Sequence, residues 1–427
     1  MKQDHEHPQR YPLVNELHAR PSPRLTPPCT VAYLAFKEPR DAAGRDRGRD
    51  ADHLDALVRR HGGPRPDPAA SHYSGQLGRH ELRWESHTEF VTYAASTPGL
   101  PPRPFDPGAG RIFPDDWQAE APGKRIAAAL VQVEVLPDDP TDALRLIEEW
   151  FVTDSLAAAW VLEENALVAG DFRIDASGWM RFAVFVRPGT GEGRIGRIIQ
   201  RLLELETYRA MSMLGLDRAR DLGRRLNALE PRLSAIVDGM ADTERPAETL
   251  LHELMSMSAD LESQATQNSF RFGATDAYQA IVLDRVATLR ESRFFGRQLL
   301  TEFMTRRYQP AMRTVKSTEA RLTALIERAA RAGELLRTRV DVQRSAQNQT
   351  LLESMDRRAD LQLRLQHTVE GLSVVAISYY AVGLLSYMLA PVAGAAGIDK
   401  GWLIAALVPV AVGIVWWGMR RVRAALH

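Results

Sequence analysis

The sequence has little cysteine, little lysine and no excess charge of either sign. Its single cysteine, Cys29, has no partner for an internal disulfide, which is typical of a reducing cytoplasm and excludes a zinc site built from cysteines. Lysine occurs at few places, such as Lys37 and Lys316, and arginine supplies most of the positive charge. Acidic and basic residues number 54 each, so no overall field favours a nucleic-acid partner. We therefore expect no nucleic-acid binding.

The first residues, MKQDHEHPQRYP, lack an apolar run behind their charges. A cleavable signal peptide needs an apolar stretch of about 7–15 residues, and this segment is polar and interrupted by proline. We therefore expect no export of the N-terminal part of the chain.

Charge is absent from two long stretches of the C-terminal part. The first, GLSVVAISYYAVGLLSYMLAP, begins at Gly371, and the second, WLIAALVPVAVGIVWWGM, covers residues 402–419. A helix of about 20 apolar residues crosses the hydrocarbon core of a bilayer. The sequence therefore predicts two transmembrane helices in a lipid bilayer, over about residues 371–390 and 402–419.

Arginines flank the two predicted spans on their outer sides. They are Arg357, Arg358 and Arg364 before the first span and Arg420, Arg421 and Arg423 after the second. The connector between the spans holds one basic residue, Lys400. Because cytoplasmic flanks carry the excess of basic residues, we predict that both termini lie in the cytoplasm.

The rest of the chain divides into a mixed part and a helical part. Short runs rich in valine, alanine and aromatic residues, CTVAYLAF, RIAAALVQVEV and WMRFAVFV, predict buried strands, and DFRIDASGWMRFAVFV predicts a hairpin. After residue 194 helical patterns take over, with breaks expected near the prolines at 231, 246 and 310. The charged stretch that begins RDAAGRDRGRD is expected to be a mobile loop with room for one short helix.

The fold class predicted is therefore α+β, followed by a long-helix bundle and two transmembrane helices. A mixed α/β cytoplasmic domain is expected at residues 1–190, a helical stalk or bundle at 191–370, and a transmembrane hairpin with a basic cytoplasmic tail at 371–427. A chain of this length exceeds what one hydrophobic core usually serves.

An apolar stripe runs along the last long helix towards the first span. It comprises Leu322, Ile326, Ala329, Gly333, Leu336 and Val340, and continues more loosely at Leu351, Met355, Leu361, Leu365 and Leu372. Amides at Gln343, Gln347 and Asn348 interrupt it, where a tight two-stranded seam tolerates them poorly. They either form hydrogen bonds between copies of the chain or face water inside a wider bundle.

Three possible metal ligands, Glu85, His87 and Glu89, alternate in LRWESHTEF. On a strand they leave the same face, where carboxylate and imidazole together suit a divalent cation such as magnesium. A solvated or salt-bridged strand face explains the same pattern without a metal. His18 and Arg20 are able to join either arrangement.

Glycines at 191, 193 and 196 spell G-x-G-x-x-G between a predicted strand and a predicted helix. Helices follow instead of the second parallel strand of a dinucleotide-binding unit, so a flexible glycine connector is the expected role. The sequence shows no nucleophile elbow, Walker loop or paired-histidine zinc helix, and we expect no enzyme.

Several strings in the chain resemble a bacterial family of predicted membrane-anchored proteins of unknown function. They are YPLVNELHARP, LRWESHTEF and the long string from Arg337 to Tyr380. The resemblance implies a bacterial inner-membrane anchor and no settled activity. The order of parts is also similar to that of CorA-type magnesium transporters. In that family a Gly-Met-Asn triplet closes the first span, whereas Tyr387, Met388 and Leu389 stand there in this chain.

The layout implies a homo-oligomer, a pentamer by analogy, in which the first span lines a path for a cation, a divalent one by the same analogy. The candidate pore-lining residues are Asn348, Ser373, Ser378, Tyr379, Ser386 and Tyr387, although small hydroxyls serve plain helix packing as well. The alternative is a membrane-anchored scaffold or sensor without transport. A third hypothesis, a membrane-tethered enzyme that depends on nucleotide or metal, requires the glycine motif or the Glu85 face.

Overall fold

The computed structural model describes residues 6–7, 9–11, 13–14, 22–39, 44–242, 245–395 and 399–426. The chain forms two compact units. The first comprises Met1–Asp242 and His252–Ala332, and the second comprises Thr243–Leu251 and Gly333–His427. The boundary predicted at residue 190 falls inside the first unit, at the start of a long helix.

The first unit contains a nine-stranded sheet, as far as its residues are described, with the strand order β2-β3-β4-β1-β5-β8-β7-β6-β9. The strands are β1 Cys29–Lys37, β2 His72–Leu77, β3 His80–Ser86, β4 Phe90–Pro98, β5 Lys124–Val135, β6 Ala157–Val161, β7 Ala166–Ile174, β8 Met180–Val186 and β9 Ser292–Arg293. β5 and β8 pair in parallel, and the other neighbouring strands pair antiparallel. The three predicted strand runs correspond to β1, β5 and β8, and the mixed α+β class of this part is confirmed.

The helices of the chain range from single turns to very long ones. Among the residues that the structure describes, the helices whose bounds are defined are, in chain order, α1 Arg47–Arg60, α2 Asp115–Ala119, α3 Pro140–Trp150, α4 Glu192–Gly239, α5 Ala247–Thr288, α6 Leu300–Phe303, α7 Gln309–Ala395 and α8 Lys400–Leu426. A π-helical turn, Met304–Tyr308, precedes α7. α7 alone has 87 residues, and it begins in the first unit and ends in the second.

The two faces of the sheet carry different side chains because neighbouring residues of a strand point to opposite sides. On one face, Leu34, Leu82 and Tyr93 belong to a hydrophobic core that also includes residues of α1, α2 and α3. Each such aliphatic or aromatic side chain contributes about 1.5–3 kcal/mol on full burial. The other face of the central strands packs against α4, as the hydrogen bond between the hydroxyls of Tyr33 in β1 and Thr207 in α4 shows.

The hairpin predicted around DFRIDASGWMRFAVFV is confirmed as the β7–β8 pair. Asp175 turns the chain because its carboxylate accepts hydrogen bonds from the backbone N–H groups of Ser177 and Trp179, at 2.8 and 3.0 Å. Gly178 has a φ of +82°, which glycine adopts more readily than other residues.

Three local expectations differ from the structure. The charged stretch, expected to be a mobile loop with room for one short helix, does contain a helix, α1, but this helix has 14 residues and buries Leu54, Leu57 and Val58 in the core. α4 runs through Pro231 without a break, because Leu226 and Leu233 on either side of the proline are fully buried. The glycine segment is not a flexible connector, since residues 192–196 form the first turn of α4.

The third glycine of this segment has a packing role. A Cβ atom on Gly196 would lie 1.7 Å from the carbonyl oxygen of Pro23, so the helix and the preceding chain approach too closely for any side chain. At Gly193 the nearest atom to an added Cβ is a flexible one, the Arg197 Nη1, at 3.7 Å.

We predict opposite effects of alanine at these two glycines. Gly196→Ala forces the backbones apart and should lower the free energy of unfolding by about 1–3 kcal/mol. Gly193→Ala should leave it unchanged or raise it by up to about 1 kcal/mol, because alanine favours a helix over glycine. Urea denaturation of the full chain in detergent measures both, and equal effects of the two substitutions would contradict the close approach at Gly196.

Candidate functional site

A cleft lies between α4 and the face of the sheet formed by β3, β4 and β1. Its volume is about 700 Å³, counting the part open to solvent. Its lining comes from three strands, the N-terminal half of α4 and the segment before β1, and includes Glu81, Arg83 and Glu85 of β3, Ala94 and Ser96 of β4, Val31 and Tyr33 of β1, and Gln200, Leu203 and Glu204 of α4. All of these residues belong to the first unit.

The strand wall of the cleft carries alternating charges. Glu81, Arg83 and Glu85 share one face of β3 because they are two residues apart. An Arg83 Nη2 atom lies 3.9 Å from the Glu85 carboxylate. In the pairing with β4, Glu81 is opposite Ser96, and Glu85 is opposite Thr92, so small side chains lie beside both carboxylates.

The helix wall is polar where it faces these strand residues. Gln200, Glu204 and Tyr208 follow one another at four-residue steps and therefore lie along one side of α4. The Glu204 carboxylate accepts hydrogen bonds from Gln200, at 2.8 Å, and from Arg285 of α5. Tyr208 stacks on Tyr278 of α5, with ring centroids 5.5 Å apart. The contacts with Arg285 and Tyr278 therefore connect this wall to α5.

The floor of the cleft is largely apolar, and a buried hydrogen bond lies beside it. Leu25, Val31 and Leu203 are buried floor residues. Beside them the Tyr33 hydroxyl and the Thr207 hydroxyl form a hydrogen bond of 2.6 Å. Burial raises the pKa of Tyr33 well above its ordinary value, so this phenol stays neutral.

His87 closes one end of the cleft. Its ring stacks on Phe90, with centroids 4.4 Å apart, and its Nε2 lies 3.5 Å from the Glu85 carboxylate. Tyr208 approaches both rings edge-on. His87 is not part of a strand, because β3 ends at Ser86 and β4 begins at Phe90.

Glu89 lies in the same turn, but its side chain contacts residues of α5. It is 1% exposed, and its carboxylate accepts hydrogen bonds from the Arg271 guanidinium and, at 2.9 Å, from the Tyr278 hydroxyl. Burial and, next, the Glu89 charge raise the pKa of Tyr278 above its ordinary 10.0. Glu89 therefore joins the sheet to α5 through a buried ion pair.

Arg45, which lies just before α1, contacts the same turn. Its guanidinium donates hydrogen bonds to the Ser86 hydroxyl at 3.0 Å and to the His87 carbonyl at 2.6 Å. Its Nε lies 2.7 Å from the Asp50 carboxylate, and both side chains are at least 96% buried. No local pattern in the sequence indicates this contact, because Arg45 and the turn are about forty residues apart.

The three predicted metal ligands are not brought together as one strand face. The strand that the alternation predicted ends at Ser86, and the next residues form a turn. Glu85 and His87 do lie side by side, whereas Glu89 pairs with Arg271. Among the described residues there is no group of three or more histidine, cysteine, aspartate or glutamate side chains that could hold a metal ion. His18 and Arg20 lie outside the described residues.

Two helices in the described part of the chain are long and apolar enough to cross a membrane. They are found within Leu300–Pro391, at a mean hydropathy of 1.7, and at Gly401–Val422, at 2.0. Only 6% of each apolar window is buried inside the chain, so neither is the core helix of a single copy. Both coincide with the predicted spans, and their length and composition favour membrane association.

The pore-lining candidates lie on different parts of α7. At 100° per residue, five of them fall within an arc of about 160°: Asn348, Ser373, Tyr379, Ser386 and Tyr387. Ser378 lies outside that arc and is 5% exposed. In α8, Ala411 is buried as well. Ser373 and Ser386 donate to carbonyls of their own helix, at 2.8 Å to Val369 and 2.6 Å to Val382.

Comparison with known protein families finds a match that covers almost the entire chain. The sequence profile of a family described as "Protein of unknown function (DUF3422)" matches residues 5–426. The chain belongs to this family. Among curated proteins, none matches the chain. The family of unknown function that the sequence strings suggested is thereby confirmed, and membership assigns no activity to any residue of the cleft or of the spans.

We predict that the Glu89–Arg271 pair is a major support of the first unit. Glu89→Gln leaves the Arg271 guanidinium partly buried without its counter-charge and should lower the free energy of unfolding by about 3 kcal/mol. Urea denaturation of the full chain in detergent measures the loss. Glu120→Gln, at an exposed carboxylate, should change it by less than about 0.5 kcal/mol.

A double-mutant cycle separates the pair from the rest of the turn. In the Glu89→Gln/Arg271→Gln double variant the loss should be smaller than the sum of the two single losses, because no unpaired charge remains. Additive losses would show that the two side chains stabilise the protein independently.

Proposed function

We propose that the protein is an oligomeric inner-membrane cation channel or transporter of CorA-like layout. Several copies form a ring in which the first span lines a path for a divalent cation such as magnesium, and the cytoplasmic body gates it. The observation that carries the proposal is the exposed apolar face of α7 between the first unit and the first span.

That face is formed by Leu351, Met355, Leu361, Leu365 and Leu372, named here the stalk stripe. Each of these side chains is at least 60% exposed in a single copy. At 100° per residue they fall within about 120° of the helix circumference. Large apolar side chains concentrated on one face favour association with another surface, since exposure to water is unfavourable.

A second copy of the same helix is the occupant that we assign to the stalk stripe. Gln343, Gln347 and Asn348 adjoin its first residue, and amides in an otherwise apolar helical interface fix register by bonding between copies. Parallel packing of α7 from several copies also places their first spans side by side. A helix that is continuous from Gln309 to Ala395 allows a displacement at one end to reach the other.

Transport requires such a ring. Two helices from one copy are too few to surround a water-filled path. Several copies must therefore form a closed ring around it. Five pore candidates share the side of α7 that carries the stalk stripe, and in a ring this side faces the neighbouring copies and the axis. Ser378 lies on another side and is assigned to packing.

A membrane-anchored scaffold or sensor without transport is the second candidate function. The hydroxyls of Ser373 and Ser386 favour it, because both donate to carbonyls of their own helix, as hydroxyls do in plain membrane helices. The absence of the Gly-Met-Asn triplet, replaced by Tyr387, Met388 and Leu389, favours it as well. This candidate predicts that another apolar hairpin can replace residues 371–419.

Stoichiometry and flux test the proposal together. Native mass spectrometry of the detergent-solubilised full chain should show a closed assembly of at least three copies, and a monomer or dimer would exclude the pore. Proteoliposomes loaded with a magnesium-sensitive dye should show Mg²⁺ entry. Ser373→Leu, within the arc, should lower the initial rate at least about tenfold by replacing a hydroxyl with an apolar group.

Ser378→Ala is the matched control, because Ser378 lies outside the arc, and it should leave the rate within about twofold of the unchanged protein. A ring of the expected size without any Mg²⁺ flux would favour the scaffold or sensor. Equal losses of flux in the two serine variants would contradict the assignment of the pore-facing side.

A further inference from the structure

The cleft over β3, β4 and β1 has the composition of a ligand site that transport does not require. It combines an apolar floor with polar groups at its walls, which is the usual make-up of pockets for small organic molecules. The cleft is partly open to solvent, so such a molecule can enter it from outside. What it would bind follows from which of its charges are already neutralised.

Most charged groups of the cleft have partners within the protein. Glu85 lies within 4 Å of both Arg83 and His87. Glu204, on the opposite wall, is paired with Arg285. These groups therefore neutralise one another and add little net charge to the cleft.

Glu81 differs from the other carboxylates of the cleft. It is only partly exposed, and it has no hydrogen bond or ion pair with any residue that the structure describes. Its neighbour across the strand pair is Ser96, and Val31 follows on β1, so the carboxylate lies beside the apolar floor. A partly buried carboxylate gains more from a cation than one fully in water does.

The far end of the cleft offers aromatic surface. Phe90 and Tyr208 both line it, with ring centroids 5.9 Å apart in an edge-on arrangement. Phe90 lies just before Val91, which is opposite Ser86, so it is about six residues from Glu81 along the strands. The carboxylate end and the aromatic end are therefore roughly 20 Å apart. An apolar chain or ring can lie along the floor between them.

We propose that this cleft binds an organic cation: an ammonium or guanidinium group paired with Glu81, joined to an apolar body that lies on the floor towards Phe90 and Tyr208. All residues of this site belong to the first unit, so binding here does not depend on transport through the spans. The ligand is a small molecule of a defined chemical class.

The test is isothermal titration of the full chain in detergent with 4-phenylbutylammonium, after subtraction of a titration into protein-free micelles. The neutral probe 4-phenylbutanol has the same body without the charge. The cation should bind with one site per chain, and the alcohol should bind at least about tenfold more weakly. Equal affinity for the two probes, or no heat above the micelle blank, would overturn the proposal.

Two variants locate the site. Glu81→Gln removes the charge at nearly constant shape and should weaken cation binding at least about tenfold, with no change in binding of the alcohol. Glu120→Gln, at an exposed carboxylate away from the cleft lining, should leave binding of the cation unchanged. Unchanged affinity in Glu81→Gln would place the cation elsewhere and reject the site.

Ala94→Trp fills the floor without touching the carboxylate. Ala94 faces the cleft from β4, opposite Arg83, so a large ring there should abolish binding of both probes. Near-ultraviolet circular dichroism confirms that each variant is folded. A folded Ala94→Trp protein that binds the cation as well as the unchanged protein does would also reject the cleft.

Discussion

The buried ion pair between Glu89 and Arg271 fastens the sheet to the long helices of the first unit. Its carboxylate belongs to a three-residue turn between β3 and β4, and its guanidinium belongs to α5. Arg45 contacts the same turn through Ser86 and His87. The turn is therefore fixed by two side chains from separate parts of the chain, Arg45 and Arg271. One wall of the cleft is β3, which leads into this turn, and the position of that wall therefore depends on contacts made by residues far away in sequence.

Where the sequence predicted structure well, the signal was local. The runs that became β1, β5 and β8 are continuous apolar segments, and the β7–β8 hairpin has its aspartate and glycine at the turn itself. The two apolar segments near the C-terminus are equally local signals, because a length of uncharged helix is read directly from the residues. None of these features depends on a partner from another part of the chain.

Where the sequence misled, distant partners decided the structure. The alternation of Glu85, His87 and Glu89 has the period of a strand, yet Arg45 and Arg271 stabilise a turn there. Pro231 stays inside α4 because buried leucines hold the helix on both sides of it. The cleft itself was not foreseen, since its walls combine β3 with α4, more than a hundred residues later. Local patterns in the sequence do not show which distant segments pack against each other.

The close approach of α4 to Pro23 has a consequence for the cleft as well as for stability. Pro23 is part of the cleft lining, and Gly196 of α4 allows Pro23 to come near because it has no side chain. The distance between Pro23 and the helix is therefore set by the absence of a side chain at position 196. Any larger residue there would push Pro23 away from α4 and shift one part of the cleft lining.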